Sequence, residues 1–294
     1  MNLHRYFVLS AALAGLAACG SDSTSPVFKT PATAGLVRFV NAVPDTGFQD
    51  FRFVDAVEGV PNVEFVNLPF RGGTDVAFQR VAVGTHHIRV FMGSSNTTPT
   101  SPNGFDPAVV STIMADTTFS FAQDVAQTFV FYGTARSGAQ KFLITTDDRP
   151  SLTAASATLG FRAINLTAGP VDIYLVPGAT LTPAASGTPV ITGLAPLATS
   201  PYSTPAVAAA GSGYTVVATQ AGTTTVVAAR LMPAGSPFVA ETPTTGALDP
   251  LAGSLISGSI FTAYVFPPSV TGSKAAAFAA AGVNLSIDKN PPRP

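Results

Sequence analysis

The side chains able to do chemistry are few. The chain has one cysteine, Cys19, and three histidines, of which His86 and His87 are adjacent. On a strand adjacent side chains point to opposite faces, so these two imidazoles cannot grip one ion together. They read as a surface histidine beside a half-buried one, and no metal site is expected. Asp147-Asp148 and Asp288 stand close to Pro150 and Pro291. They read as turn residues at domain ends, because calcium would want oxygen ligands at alternating spacing. Asp50 and Asp172 recur in similar contexts, each after an arginine, Arg38 or Arg162. A strand-edge ion pair or backbone hydrogen bonds explain them better than a catalytic carboxylate. No serine lies in a Gly-x-Ser-x-Gly elbow, and no phosphate loop, dinucleotide fingerprint or HExxH occurs. A Ser-His-Asp triad would have to use His86 or His87, and nothing marks either. The expectation is no catalytic residue, no metal and no cofactor.

The elements that must carry these residues follow from composition. Over 294 residues, charged side chains make up 11% and hydrophobic ones 46%. That is too apolar for a disordered chain, and 26 glycines with 25 prolines suit many strands joined by turns. The net charge of -1 includes no lysine or arginine cluster, so nucleic acid is not an expected partner. A single cysteine rules out an internal disulfide framework.

Arg5 gives the chain a mildly positive start, and the apolar run 6–16 follows. About 20 apolar residues are needed to span a bilayer as a helix, so this run reads as a signal-peptide core. Leu16-Ala17-Ala18-Cys19 closes it and resembles the lipobox of bacterial lipoproteins. The resemblance implies cleavage between Ala18 and Cys19 and diacylglyceryl attachment to the Cys19 thiol. It thus implies a membrane partner through a lipid anchor and a place in the bacterial cell envelope. Gly20, in place of an aspartate, implies the outer membrane, with a periplasmic or surface-facing body. Residues 1–18 are then the signal peptide, and the polar, proline-punctuated stretch 19–35 a flexible tether.

From Leu36 onward the texture is β-rich. Strand patterns occupy residues 36–43, 48–54, 63–66, 77–83, 85–92, 118–121, 128–132 and 142–146. The segments 77–83 and 85–92 are expected to form a hairpin about Gly84. Residues 93–118 and 232–257 read as long loops, and 274–281 as a short helical turn.

The passage from Leu159 repeats the one from Leu36. Arg38-x-x-Asn41 lies over Arg162-x-x-Asn165, Gln49–Phe53 over Val171–Leu175, and Leu68-Pro69 over Leu194-Ala195-Pro196. Gly84–Val90 lies over Gly211–Val217, Thr128–Tyr132 over Ile260–Val265, and Asp147–Pro150 over Asp288–Pro291. An offset of about 122–141 residues suits a domain and not a solenoid unit. These motifs (R-x-x-N, a Pro/Gly turn, an aspartate with alternating apolar residues, a Leu-Pro step) are similar to the DUF4397 family. That resemblance implies secreted or surface bacterial proteins of unassigned function.

The expected fold is all-β: two tandem antiparallel, immunoglobulin-like β-sandwiches, 36–150 and 159–294, joined by 151–158. The expected function is a non-catalytic binding or adhesion module acting through sandwich loops, with an unknown protein or glycan ligand. The alternatives are a structural spacer of the envelope and a hydrolase.

Overall fold

The computed structural model describes residues 33–55, 65–92, 112–178, 184–241 and 247–293. The apolar run, Ala18, Cys19 and nearly all of the expected tether lie outside the described residues, as do part of the segment 63–66 and residues 93–111 of the long loop.

The chain is all-β. In its first half run β1 (Ala34–Ala42), β2 (Gln49–Phe53), β3 (Gln79–Ala82), β4 (Gly84–Met92), β5 (Ile113–Phe121), β6 (Ala126–Tyr132) and β7 (Lys141–Thr146). The second half holds β8 (Gly160–Asn165), β9 (Val171–Pro177), β10 (Ile191–Leu194), β11 (Tyr214–Gln220), β12 (Val226–Leu231), β13 (Ile260–Phe266) and β14 (Gly282–Lys289). They form four sheets, ordered β3-β1-β6-β7, β2-β4-β5, β14-β13-β8 and β10-β9-β11-β12. Most pairings are antiparallel, but β1 runs parallel to β6 and β8 parallel to β13. The antiparallel expectation therefore needs this correction in both halves.

Among the described residues three of four buried apolar clusters form the cores between the sheets. The first joins β1 and β6 to β2 and β4 through Phe39, Phe51, Phe129 and Phe131. It is a phenylalanine core, with Phe39 stacked on Phe51 at 4.8 Å between centroids. Another joins β8 and β13 to β9 and β11 through smaller residues such as Ala163, Ala218, Ala263 and Val216. Between the halves lies a third, built from Val40, Ala42, Phe70 and Val130 on one side and Ile164, Leu166, Tyr264 and Phe266 on the other. β1, β6, β8 and β13 are consequently covered on both faces. That is why β1 reads as a nearly continuous apolar run and why parallel pairing is tolerated there. From Thr33 onward the chain forms one compact unit.

Three local expectations change. β3 pairs with β1, whereas β4 pairs with β2 and β5, so 77–83 and 85–92 belong to different sheets. Gly84, at φ +124°, is the switch: it adopts a backbone that other residues resist and carries the chain from one layer to the next. β5 starts at Ile113, inside the span read as a loop, and residues 232–257 contain ladder contacts Ser236–Leu251 and Val239–Leu248. Residues 274–281 form no helical turn. The Ala280 carbonyl within this stretch and the Pro267 carbonyl before it are taken instead by the Arg71 guanidinium, each at 2.6 Å.

Arg71 ties the halves together from one side. Its guanidinium lies 4.3 Å over the Phe278 ring and within reach of Phe70 and Phe266. No carboxylate joins it among the described ion pairs, and burial pushes its pKa down to about 10. Gly282 leaves the space it needs: a Cβ there would collide with Arg71 Nη1. Gly282→Ala should therefore displace the guanidinium from both carbonyls and cost about 1–3 kcal/mol. Urea unfolding should show this as a lower midpoint at unchanged slope.

Candidate functional site

Strand alternation decides where the repeated arginines go. On β1, Val37 and Phe39 enter the first core, so Arg38 must face the other half with Val40 and Ala42. On β8, Phe161 and Ala163 enter the second core, so Arg162 faces back. Both arginines are thereby buried in the middle of the molecule, where an isolated charge would be very costly.

Each is neutralised by the opposite half. Arg38 Nη1 donates to Asp288 Oδ1 at 2.7 Å, with both side chains fully buried. Arg162 Nη2 donates to Asp147, and both are buried there too. The aspartates expected to be turn residues at domain ends thus close a crossed pair of ion pairs, the end of each half reaching the first strand of the other. Asp288 lies within β14 and Asp147 just past β7, each two residues beyond a buried position (Ser286 and Thr145), so strand alternation and not turn chemistry places them. Asp148, one residue on, is exposed.

One hydroxyl links the two pairs. Thr262 Oγ1 accepts from Arg162 Nε at 2.8 Å and donates to Asp288 Oδ2 at 2.6 Å. Tyr202 donates its hydroxyl to the same carboxylate oxygen at 2.9 Å. Arg38 is completed by the Ile287 and Val76 carbonyls at 2.8 and 2.9 Å, and its guanidinium lies 4.0 Å over the Phe78 ring. Burial opposes the Arg38 charge, but Tyr264 and Asp288 outweigh it, and its pKa is raised. Tyr202 is also raised, first by burial and then by the negative charge of Asp288.

The other repeated residues hold local backbone. Asp50 accepts from the Asn67 N–H at 2.7 Å and pairs with Arg52, while Asp172 accepts from the N–H groups of Gly193 and Gly222. Neither pairs with Arg38 or Arg162. Of the two expected roles, backbone hydrogen bonding is the one both copies share. Asn41 Nδ2 donates to Leu68 O, and Asn165 Nδ2 to Leu194 O, each fixing the Leu-Pro step beside the first strand. Asp45 caps the short turn at Ala135–Ser137 through two N–H groups, a role that nothing in its sequence context marked.

His86 and His87 part as the strand geometry requires. His86 packs against Phe53 and Phe121 with Nε2 3.0 Å from Ala82 O and Nδ1 3.3 Å from Asp55. His87 faces outward, bonded to Asp116, which Arg89 also holds at 2.9 Å. Among the described residues no three His, Cys, Asp or Glu side chains gather as a metal site would require. Cys19 lies outside the described residues.

Beside the ion pairs opens a cleft of about 710 Å³. Its walls are residues 143–146 and 148–150 at the end of the first half, and Arg162 with 199–202 in the second. Ion-pair residue Arg162 forms part of the floor, and its guanidinium lies 4.7 Å over the Tyr202 ring.

The fold is an all-β sandwich architecture, and residues 35–174 match the DUF4397 family, described as a domain of unknown function. A DUF4397 domain therefore spans residues 35–174, from β1 through β8 into β9. No match was found among curated proteins.

Asp288→Asn should leave Arg38 buried without its counter-charge and cost about 3–5 kcal/mol. Replacing both partners, Arg38→Met with Asp288→Leu, should recover most of that loss, and a double-mutant cycle by chemical denaturation reads the difference. The pH dependence follows from Tyr202. An unfolded tyrosine ionises near pH ~10, whereas the folded one keeps its proton to higher pH. Stability should therefore fall as pH rises through that value, and Tyr202→Phe should flatten the fall. Denaturant midpoints taken from pH 8 upward would measure both.

Proposed function

We propose that this chain is a bacterial lipoprotein of the cell envelope, held by lipid on Cys19 and carrying two tandem copies of the DUF4397 domain. The second copy, 159–294, is supported by equivalent hydrogen bonds in both halves: Asn41 with Asn165, Asp50 with Asp172, and the crossed arginines. Cleavage between Ala18 and Cys19 would leave the polar stretch 19–35 as a tether, with Gly20 favouring the outer membrane. Lipidation contributes roughly 0.8 kcal/mol per buried methylene, so two or more chains give stable attachment. No helix among the described residues is long and apolar enough to cross a membrane.

The body acts as a non-catalytic binding or adhesion module. One observation carries this reading: the polar residues repeated in both halves are committed to holding the fold. Arg38, Arg162, Asn41, Asn165, Asp50, Asp172, Asp147 and Asp288 all have structural partners. A rigid frame joined by connecting loops suits recognition, which loops on rigid scaffolds usually carry. The role of an envelope spacer draws on the same rigidity, without a ligand.

Labelled-lipid incorporation in cells tests the anchor. The wild-type chain should take up label and fractionate with membranes, and Cys19→Ala should do neither. Label retained by the Cys19→Ala chain would overturn it.

A further inference from the structure

We propose that the cleft between the halves receives an extended polypeptide strand, which pairs with the outer edge of β7. This rests on the reading of the body as a binding module, but not on the lipid anchor. β7 ends its sheet, and no other strand lies beyond it among the described residues. The direction of its backbone groups follows from the ladder. Asp147 N–H bonds the directly opposite Ala126 carbonyl at 2.8 Å. Antiparallel rungs alternate, so Thr145 and Leu143 also point their backbone groups at β6. The N–H and C=O groups of Phe142, Ile144 and Thr146 therefore point away from it. Thr146 O agrees: it accepts from the cleft residue Arg162 Nη1 at 3.4 Å, which leaves Phe142, Ile144 and the Thr146 N–H for an added strand.

The opposite wall is also a sheet edge. Residues 198–203 pair with β8 through Asn165 N to Ala198 O, Ser200 N to Ala163 O, and Phe161 with Ser203. A strand laid between the two would find backbone partners along β7 and side-chain contacts from 199–202, the combination used in strand addition.

The counterpart position in the molecule shows that this opening is specific to one side. There Asn284 Nδ2 donates to Arg71 O at 3.0 Å and to Thr74 Oγ1 at 3.2 Å, and Ser286 Oγ donates to Thr74 O. The segment preceding β3 is thus stitched to β14. On the cleft side, Leu143 stands in place of Asn284 and Thr145 in place of Ser286, and the stitch is not made. Thr145, 7% exposed, leaves Oγ1 buried without a partner, and so does Thr199 across from it. Two buried hydroxyls without partners, the outward backbone groups of Phe142 and Ile144 with the Thr146 N–H, and a volume within the ~300–1,000 Å³ of ligand sites meet in one place. Asp148 and Arg149 line the cleft with opposite charges, so the occupant is a peptide selected by backbone and hydroxyl contacts and not by net charge.

A random octapeptide display library panned on the full chain tests this. Enriched peptides should lose at least tenfold in affinity when alternate residues are N-methylated on the pairing edge. They should lose as much against Ile144→Pro, which removes an outward N–H and leaves the β6 rungs intact. Bound peptide should slow amide exchange at Ile144 and Thr146 in the unmodified chain, a readout that needs no variant. No enrichment, or peptides indifferent to both N-methylation and Ile144→Pro, would overturn the proposal. Indifferent peptides would still leave the binding-module reading standing. A glycan captured in an array and lost with Tyr202→Ala, with no peptide enriched, would overturn the strand in favour of a saccharide.

Discussion

The structure depends on burying two guanidinium groups in its centre. β1 and β8 are covered on both faces, so a charged residue in either strand has no route to water. Arg38 and Arg162 are stable there only because a carboxylate arrives from the opposite half. A buried pair of this kind is poor evidence for net stability, since apolar replacements often do as well. Its effect is on specificity: the halves can dock in one register only, the one that brings Asp288 to Arg38 and Asp147 to Arg162. Thr262 then makes the two pairs a single network.

The surrounding features follow from that docking. Val40, Ala42, Ile164, Leu166, Tyr264 and Phe266 supply the apolar contact that keeps water from the network. Arg71, which occupies the position taken by Leu197 in the other half, fastens one flank through two carbonyls and an aromatic cage. The opposite flank has no such fastening and opens as the cleft. An approximately two-fold arrangement has thus been closed on one side and left open on the other, by Leu143 for Asn284 and Thr145 for Ser286.

Much of this was legible in the residues. The alternation of apolar positions marked most strands, and the recurrence of R-x-x-N and of the Asp-x-x-Pro ends marked the equivalence of the halves. The hairpin expected about Gly84 does not form: sequence neighbours usually pair, but a glycine at φ +124° sends these two strands to different layers. The parallel pairs are not legible in the residues because they join segments 90 and 100 residues apart. Asp147 and Asp288 looked like turn residues because of the nearby prolines. The telling residue is Arg38 itself: a charge inside an apolar run covered on both faces requires a buried counter-charge, and Asp147 and Asp288 are acidic residues repeated where the two halves end.

Differential scanning calorimetry of the wild-type chain tests the central claim most directly. If the crossed pairs bind the halves into one cooperative body, unfolding should be a single transition with equal calorimetric and van 't Hoff enthalpies. Two separable transitions, one for each half, would show that the halves fold and melt independently and would contradict the account.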